Sequence, residues 1–279
     1  MKLCAYLSIQ IRQYIIRKRW LLPIPVMLFI AYRSVNAIKS LLELHTGTTA
    51  NLWDVFFITF GNGWNICLIV TNLFLFLVCD LLPEPGFGQL ALLRLGSRRS
   101  WWLSKCLTLL IAVVVYSLLV FGCVWVYAAF SFPLDFRWSS LAIKAPEALN
   151  IPILTARHAA LPSAAGQVAL LLLLGWFSLG LLMMVATQLS RRFLVGYLTG
   201  LVVLFASFAV AWISSPPAWV KLFIFKHLMF NHFPLPFRDV TVNLSILYWL
   251  LWLLLLPGIG FFLSKRQDHL AMRHLPGMG

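Results

Sequence analysis

Apolar and polar positions are arranged along this chain in long blocks, without the short periods of a water-soluble fold. About 20 apolar residues cross a hydrocarbon core as helix. Runs of that kind fall at Trp20–Leu42, Val55–Cys79, Cys106–Phe130, Gly166–Gln188, Phe193–Ser214 and Ser245–Leu263. The first is interrupted in its second half by Arg33, Asn36 and Lys39. That interruption predicts a span that tilts, ends early or lets its cations snorkel outward. The pattern as a whole predicts an all-α integral membrane protein: a six-helix transmembrane bundle with short interfacial and external helices.

No repeat, low-complexity tract or soluble domain interrupts the blocks, so residues 1–279 read as one transmembrane domain. Within it, residues 1–19 are expected to form an amphipathic cytoplasmic helix. Residues 81–105 form a cytoplasmic segment, and 131–165 and 215–244 are external segments rich in proline and aromatics, suited to short helices. In the latter, "SSPPAWVKLFIFKHLMFNHFPLPF" holds an apolar run too short to span.

Composition agrees with the blocks. Hydrophobic residues make up 61% of the chain and charged residues 11%, with a mean hydropathy of +0.90. Soluble domains run at roughly 45–50% and 25%. The formal charge of +14 would suggest nucleic acid in a soluble chain. Beside membrane spans, such cations instead bind anionic headgroups and fix topology, so membrane lipids are the expected partner and nucleic acid is not.

The cations sort by loop. One side collects Lys2, Arg12, Arg17, Lys18 and Arg19, then Arg94, Arg98, Arg99 and Lys105, then Arg191, Arg192, Lys265, Arg266 and Arg273. The other has Arg137, Lys144, Arg157, Lys221, Lys226 and Arg238, diluted by Asp135, Glu147 and Asp239. The positive-inside rule then places both termini in the cytoplasm of a multi-pass chain. The N-terminus, broken by Arg12 and the Arg17–Arg19 cluster, does not read as a cleaved signal.

Motifs for chemistry are missing. "EPGFGQ" at Glu84–Gln89 lacks the strand and lysine of a phosphate-cradling loop, and there is no HExxH or GxSxG. His227 and His232, five apart, fall on different helical faces. Cys4, Cys67, Cys79, Cys106 and Cys123 lie in or beside apolar runs without a CxxC and read as buried thiols. No catalytic, cofactor-binding or metal-binding residues are assigned, and an intramembrane enzyme is disfavoured because the spans are nearly bare of His, Asp and Glu.

Two polar patterns lie inside the runs. On an ideal helix Asn62, Asn65 and Asn72 share one stripe of the second span. Amides in hydrocarbon need partners, so the stripe is a candidate translocation path or subunit seam; the plainer alternative is hydrogen bonding between helices. In the fifth span, Gly196 and Gly200 form a GxxxG, a pattern for close helix approach.

The stretch "LLRLGSRRSWWLSK", Leu92 to Lys105, holds four cations and no acid. As a helix capped by Ser97 after Gly96, it would put Arg98, Trp101 or Trp102, and Lys105 on neighbouring turns along the cytoplasmic surface. A topology-setting anchor is the plain alternative. The order of parts is more specific: acids at Asp80 and Glu84, a Pro/Gly break at Pro83, Pro85, Gly86 and Gly88, an apolar turn, then the basic helix.

That order resembles the segment between spans two and three of type-2, export-type ABC transporter permeases. The matching residues are Asp80, Glu84, Gly88, Leu92, Leu93, Gly96, Ser97, Arg98 and Lys105. The family often has proline where Gly96 stands. The layout is similar as well, with an amphipathic helix before span one, six spans, external helices before span six and a short basic tail.

The resemblance implies a coupling segment that contacts a separate ATPase, with Arg94, Gly96, Ser97, Arg98, Arg99, Trp101, Trp102 and Lys105 as its residues. It further implies an ABC ATPase subunit that binds the ATP, and a second permease copy in a homodimer or a paralogous heterodimer. It points to a bacterial plasma membrane and to export of an amphipathic substrate such as an antimicrobial peptide, a lipid-linked molecule or a drug. The other reading is a membrane-embedded immunity or regulatory protein that transports nothing.

Overall fold

The structure, a computed structural model, describes residues 2–82, 97–210, 227–228 and 242–266. Every regular element among them is helical. The N-terminal segment is α1 (Lys2–Gln10), extended by a π-turn over Ile11–Ile15. It buries Tyr6, Gln10, Tyr14 and Ile15 and exposes Ile9, Arg12 and Ile16. The chain turns at Arg17, where the backbone is extended, and a 3₁₀ turn (Lys18–Leu21) leads into α2 (Pro23–Leu44). Proline suits the first turn of α2, where backbone N–H groups have no intrahelical acceptor.

Four helical stretches are long and apolar enough to cross a membrane: Lys18–Leu44, Arg98–Ala129, Leu161–Ser190 and Val242–Lys265. They correspond to the first, third, fourth and sixth expected runs. The second run departs from expectation. It consists of α3 (Leu52–Phe60) and a second limb over Asn65–Leu81, bent by 86° at the break. Counted as one span, this pair is the fifth.

The second limb comprises a π-turn (Asn65–Thr71), α4 (Asn72–Val78) and a 3₁₀ turn (Cys79–Leu81). Gly61 and Gly63 lie within the break, and a Cβ on Gly61 would come 2.5 Å from the Asn150 Cβ and 2.6 Å from the Phe57 carbonyl oxygen. Only glycine therefore fits there.

The third span, α5 (Arg98–Ala129), runs unbroken for 32 residues. Short helices follow as expected in 131–165: α6 (Ser140–Lys144), a 3₁₀ turn (Pro146–Leu149) and α7 (Ile153–His158). Then come α8 (Leu161–Ser190), α9 (Phe193–Val210) and α10 (Val242–Arg266). The fifth expected run thus appears as a shorter apolar helix, and Ser214 lies outside the described residues. Most of 215–244 is also outside them.

α5 packs on α2, α3, α8 and α10, while α8 packs on α9 and α10. Lipid tails are as apolar as the core, so association rests on packing and interhelical hydrogen bonds. The structure supplies both. Trp53 meets Trp125 edge-on, Phe60 meets Phe121 edge-on, and Thr59 Oγ1 donates to Ser34 Oγ at 2.8 Å. At that end of the bundle, α3 begins with a capping box: Asn51 Oδ1 accepts from Trp53 N and Asp54 N, and Asp54 Oδ2 accepts from Asn51 N. Asp54 is fully buried, and its Oδ1 accepts from Ser139 Oγ, which ties α3 to the segment after α5.

Candidate functional site

The chemistry of the chain concentrates at the other end, where the N-terminal segment, the foot of the second limb and the root of α5 meet. Arg19 Nη2 donates to Asp80 Oδ1 at 2.6 Å, and Arg17 Nη1 lies 3.6 Å from Asp80 Oδ2. One carboxylate therefore holds two guanidinium groups from the turn before α2. Arg19 also donates to the Tyr14 carbonyl at 3.3 Å, and Trp20 Nε1 donates to the same oxygen at 2.8 Å.

One residue beyond Asp80, the Leu81 carbonyl accepts from Lys105 Nζ at 3.0 Å. Lys105 is fully buried, and its ammonium sits 4.9 Å from the Tyr14 ring centroid. A cation is favourable at a helix C-terminus, where carbonyls lack intrahelical donors. Thr108 Oγ1, one turn further along α5, donates to Gln10 Oε1 at 2.5 Å. The N-terminal segment, the foot of the second limb and the root of α5 are thus joined in a single hydrogen-bonded yoke.

Ser97 caps α5 as expected, its hydroxyl accepting from Ser100 N at 3.1 Å. The expected surface helix is corrected, because Arg98–Lys105 is the first two turns of the span itself. Arg98 Nη1 donates to the Lys265 carbonyl at 2.5 Å, at the end of α10. Arg99 is exposed and lies 5.3 Å from the Phe261 ring centroid, which Lys265 also approaches at 4.8 Å.

Trp101 and Trp102 turn inward, each under 5% exposed. Trp102 Nε1 donates to the Pro257 carbonyl at 3.0 Å, and its ring lies where a Cβ on Gly260 would be. Trp101, Trp102 and Lys105 therefore act within the chain and offer no docking surface. Of the residues assigned to coupling, Ser97, Arg98 and Arg99 remain at least partly accessible. Arg94 and Gly96, with Glu84, Gly88, Leu92 and Leu93, lie outside the described residues.

The asparagine stripe is also corrected. The 86° bend separates Asn62 from the other two, and the π-turn underwinds the helix between Asn65 and Asn72, so no common face exists. Asn62 caps the second limb, its Oδ1 accepting from Trp64 N at 3.0 Å and Asn65 N at 3.2 Å. Asn72 Oδ1 accepts from Tyr197 OH at 2.9 Å, a bond to α9. Asn65 is half-buried.

Sequence reasoning passed over two partners of this limb. Tyr116 OH donates to the Val70 carbonyl at 2.6 Å, and Trp176 Nε1 donates to Thr71 Oγ1 at 3.0 Å. Their signal was available: aromatics with polar tips inside apolar runs find a partner when buried.

Gly196 and Gly200 both face inward. A Cβ on Gly196 would overlap Thr187 and come 2.6 Å from the Met183 carbonyl, whereas one on Gly200 would meet only the Leu75 side chain, at 3.2 Å. Cys67 is buried as expected; Cys4, by contrast, is exposed, because α1 directs its other face to the bundle.

Fold and site together define an all-helical protein with several long apolar helices suited to membrane insertion. The chain belongs to the family described as a protein of unknown function, DUF2705, whose profile matches residues 15–270. No curated protein and no solved structure matches it.

Proposed function

We propose that this chain is the membrane-spanning subunit of an ATP-driven ABC exporter, with six spans, both termini in the cytoplasm of a bacterial cell and ATP bound by separate subunits. Two permease copies share the path, and the cargo is amphipathic, in keeping with spans that carry few fixed charges. The observation that carries this reading is the yoke. Asp80 and Leu81 are clamped by Arg19 and Lys105 just before residues 83–96, and Ser97 starts a 32-residue helix just after them. A push on that segment is delivered at once to the N-terminal segment, the foot of the second limb, α5 and, through Arg98 and Trp102, to α10. A coupling element needs such rigidity, since alternating access rocks whole helices between two discrete arrangements.

The test is copurification. Tagged wild-type chain extracted gently from its native membrane is expected to bring down an ATP-hydrolysing subunit. Arg99→Glu, which reverses an exposed cation without breaking the yoke, is expected to lose most of it at equal chain yield. Equal recovery with wild type and Arg99→Glu removes Arg99 from the contact. Absence of any such subunit with wild type favours the second reading, an immunity or regulatory membrane protein. The burial of Trp101, Trp102 and Lys105 speaks for that second reading, because it leaves a smaller accessible surface for docking.

A further inference from the structure

The outward face of α2 changes chemistry midway along the helix. Met27, Ile30, Ala31, Ser34, Val35 and Ile38 form its buried side. Opposite them, Leu21, Leu22, Phe29 and Tyr32 are exposed and apolar, and from there the same face carries Arg33, Asn36, Lys39, Ser40 and Glu43, all exposed, before the apolar and exposed Leu44 ends the helix. Among the described residues the side chains of Arg33, Asn36, Lys39 and Glu43 make no hydrogen bond or ion pair. Ser40 Oγ donates only to the Asn36 carbonyl of its own helix, at 3.2 Å.

The apolar part of this face is too short for lipid. From Leu21 to Tyr32 the helix rises roughly 17 Å at 1.5 Å per residue, against a hydrocarbon core of about 30 Å. Other spans do not share the deficit. The outward face of α5 stays apolar from Leu103 through Leu110, Leu118 and Val126 to Phe130, a rise of roughly 40 Å. That of α10 runs from Leu244 to Phe262, a rise of roughly 27 Å. A short apolar face is accommodated by thinning the bilayer, by snorkelling or by association with another helix.

We propose that this polar stripe of α2 is covered by the same stripe of a second copy of the chain, about a two-fold axis along the membrane normal. The stripe is self-complementary. At about 100° per residue, Asn36 and Glu43 lie at its centre, with Arg33 on one flank and Lys39 on the other. A two-fold between parallel helices sets the Arg33 flank of one copy against the Lys39 flank of its partner. The two Arg33 side chains then sit on opposite sides of the axis. Lys39 lies one turn from Glu43 of the other copy, close enough to pair. The two Asn36 amides meet at equal depth, where each can donate to and accept from the other, and Ser40 is small enough for close approach. The interface rests on the two-copy part of the proposed function and needs no ATPase.

Two differently tagged copies, both with Cys4→Ser, are coexpressed and oxidised in their membranes. Asn36→Cys is expected to give a disulfide-linked species carrying both tags, Ser40→Cys likewise. Leu118→Cys, on the exposed apolar face of α5, is expected to stay monomeric. The proposal is overturned if Asn36→Cys stays monomeric, links only to a different protein, or links no better than Leu118→Cys. Crosslinking without a copurifying ATPase would leave the interface standing and sink the exporter; the reverse pair of results would do the opposite.

Discussion

Lys105 is the side chain on which most of the site turns. Its ammonium is fully buried yet reaches both the Leu81 carbonyl and the Tyr14 ring. Lys105→Met keeps the length and removes both contacts, leaving a buried carbonyl without this donor. A loss of about 1–3 kcal/mol is expected, read as a lower midpoint of thermal unfolding in detergent; an unchanged midpoint would show that the bond contributes nothing.

The two glycines of the fifth run separate by the same kind of reasoning. Gly196→Ala meets a backbone carbonyl and Thr187, which cannot retreat without parting α8 from α9, whereas Gly200→Ala meets only the flexible end of Leu75. Gly196→Ala is expected to cost on the order of 1–3 kcal/mol, as overpacking does, and Gly200→Ala clearly less, by the same unfolding measurement. A spacing of four told that the glycines approach something. It carried no information on what each would touch, because that depends on helices distant in sequence.

At the scale of elements, long apolar helices were legible because bilayer thickness sets their length. The Ser97 cap was legible too, since its signal is local. Two features were not. The break in the second run was hidden because Gly61–Trp64 is short and flanked by apolar residues that read as one block, and its fit against Asn150 comes from a segment some ninety residues away. The continuity of Arg98–Lys105 with α5 was hidden by its charges, which suggested a surface helix. Those charges are absorbed by α10, the Leu81 carbonyl and aromatic faces.

The underwound limb has a test of its own. The Tyr197–Asn72 bond joins it to α9, and a double-mutant cycle of Tyr197→Phe with Asn72→Leu is expected to return a coupling of about 0.6 kcal/mol, the typical worth of such bonds between membrane helices. Additive effects would show that the contact holds nothing.

For the whole molecule, the charge pattern and the yoke lead to the same end of the bundle. Residues from the N-terminal segment, the foot of the second limb, the root of α5 and the last turns of α10 converge there. The opposite end is closed by Asp54, Asn51 and Ser139. Under the proposed function, the end with the yoke receives the push, and the hydrogen bonds there join the helices that would move with it. Among the described residues, the polar side chains inside the spans mostly make hydrogen bonds that hold the helices together, such as Tyr116 to Val70 and Trp176 to Thr71.

The most direct measurement is the rate of ATP hydrolysis by material purified through a tag on this chain and reconstituted in lipid nanodiscs. Wild type is expected to hydrolyse ATP well above an untagged control, Arg99→Glu to fall to the control level, and Lys105→Met to fall between them at matched protein. Hydrolysis no higher than the control for wild type, with the chain intact and folded, would contradict the account.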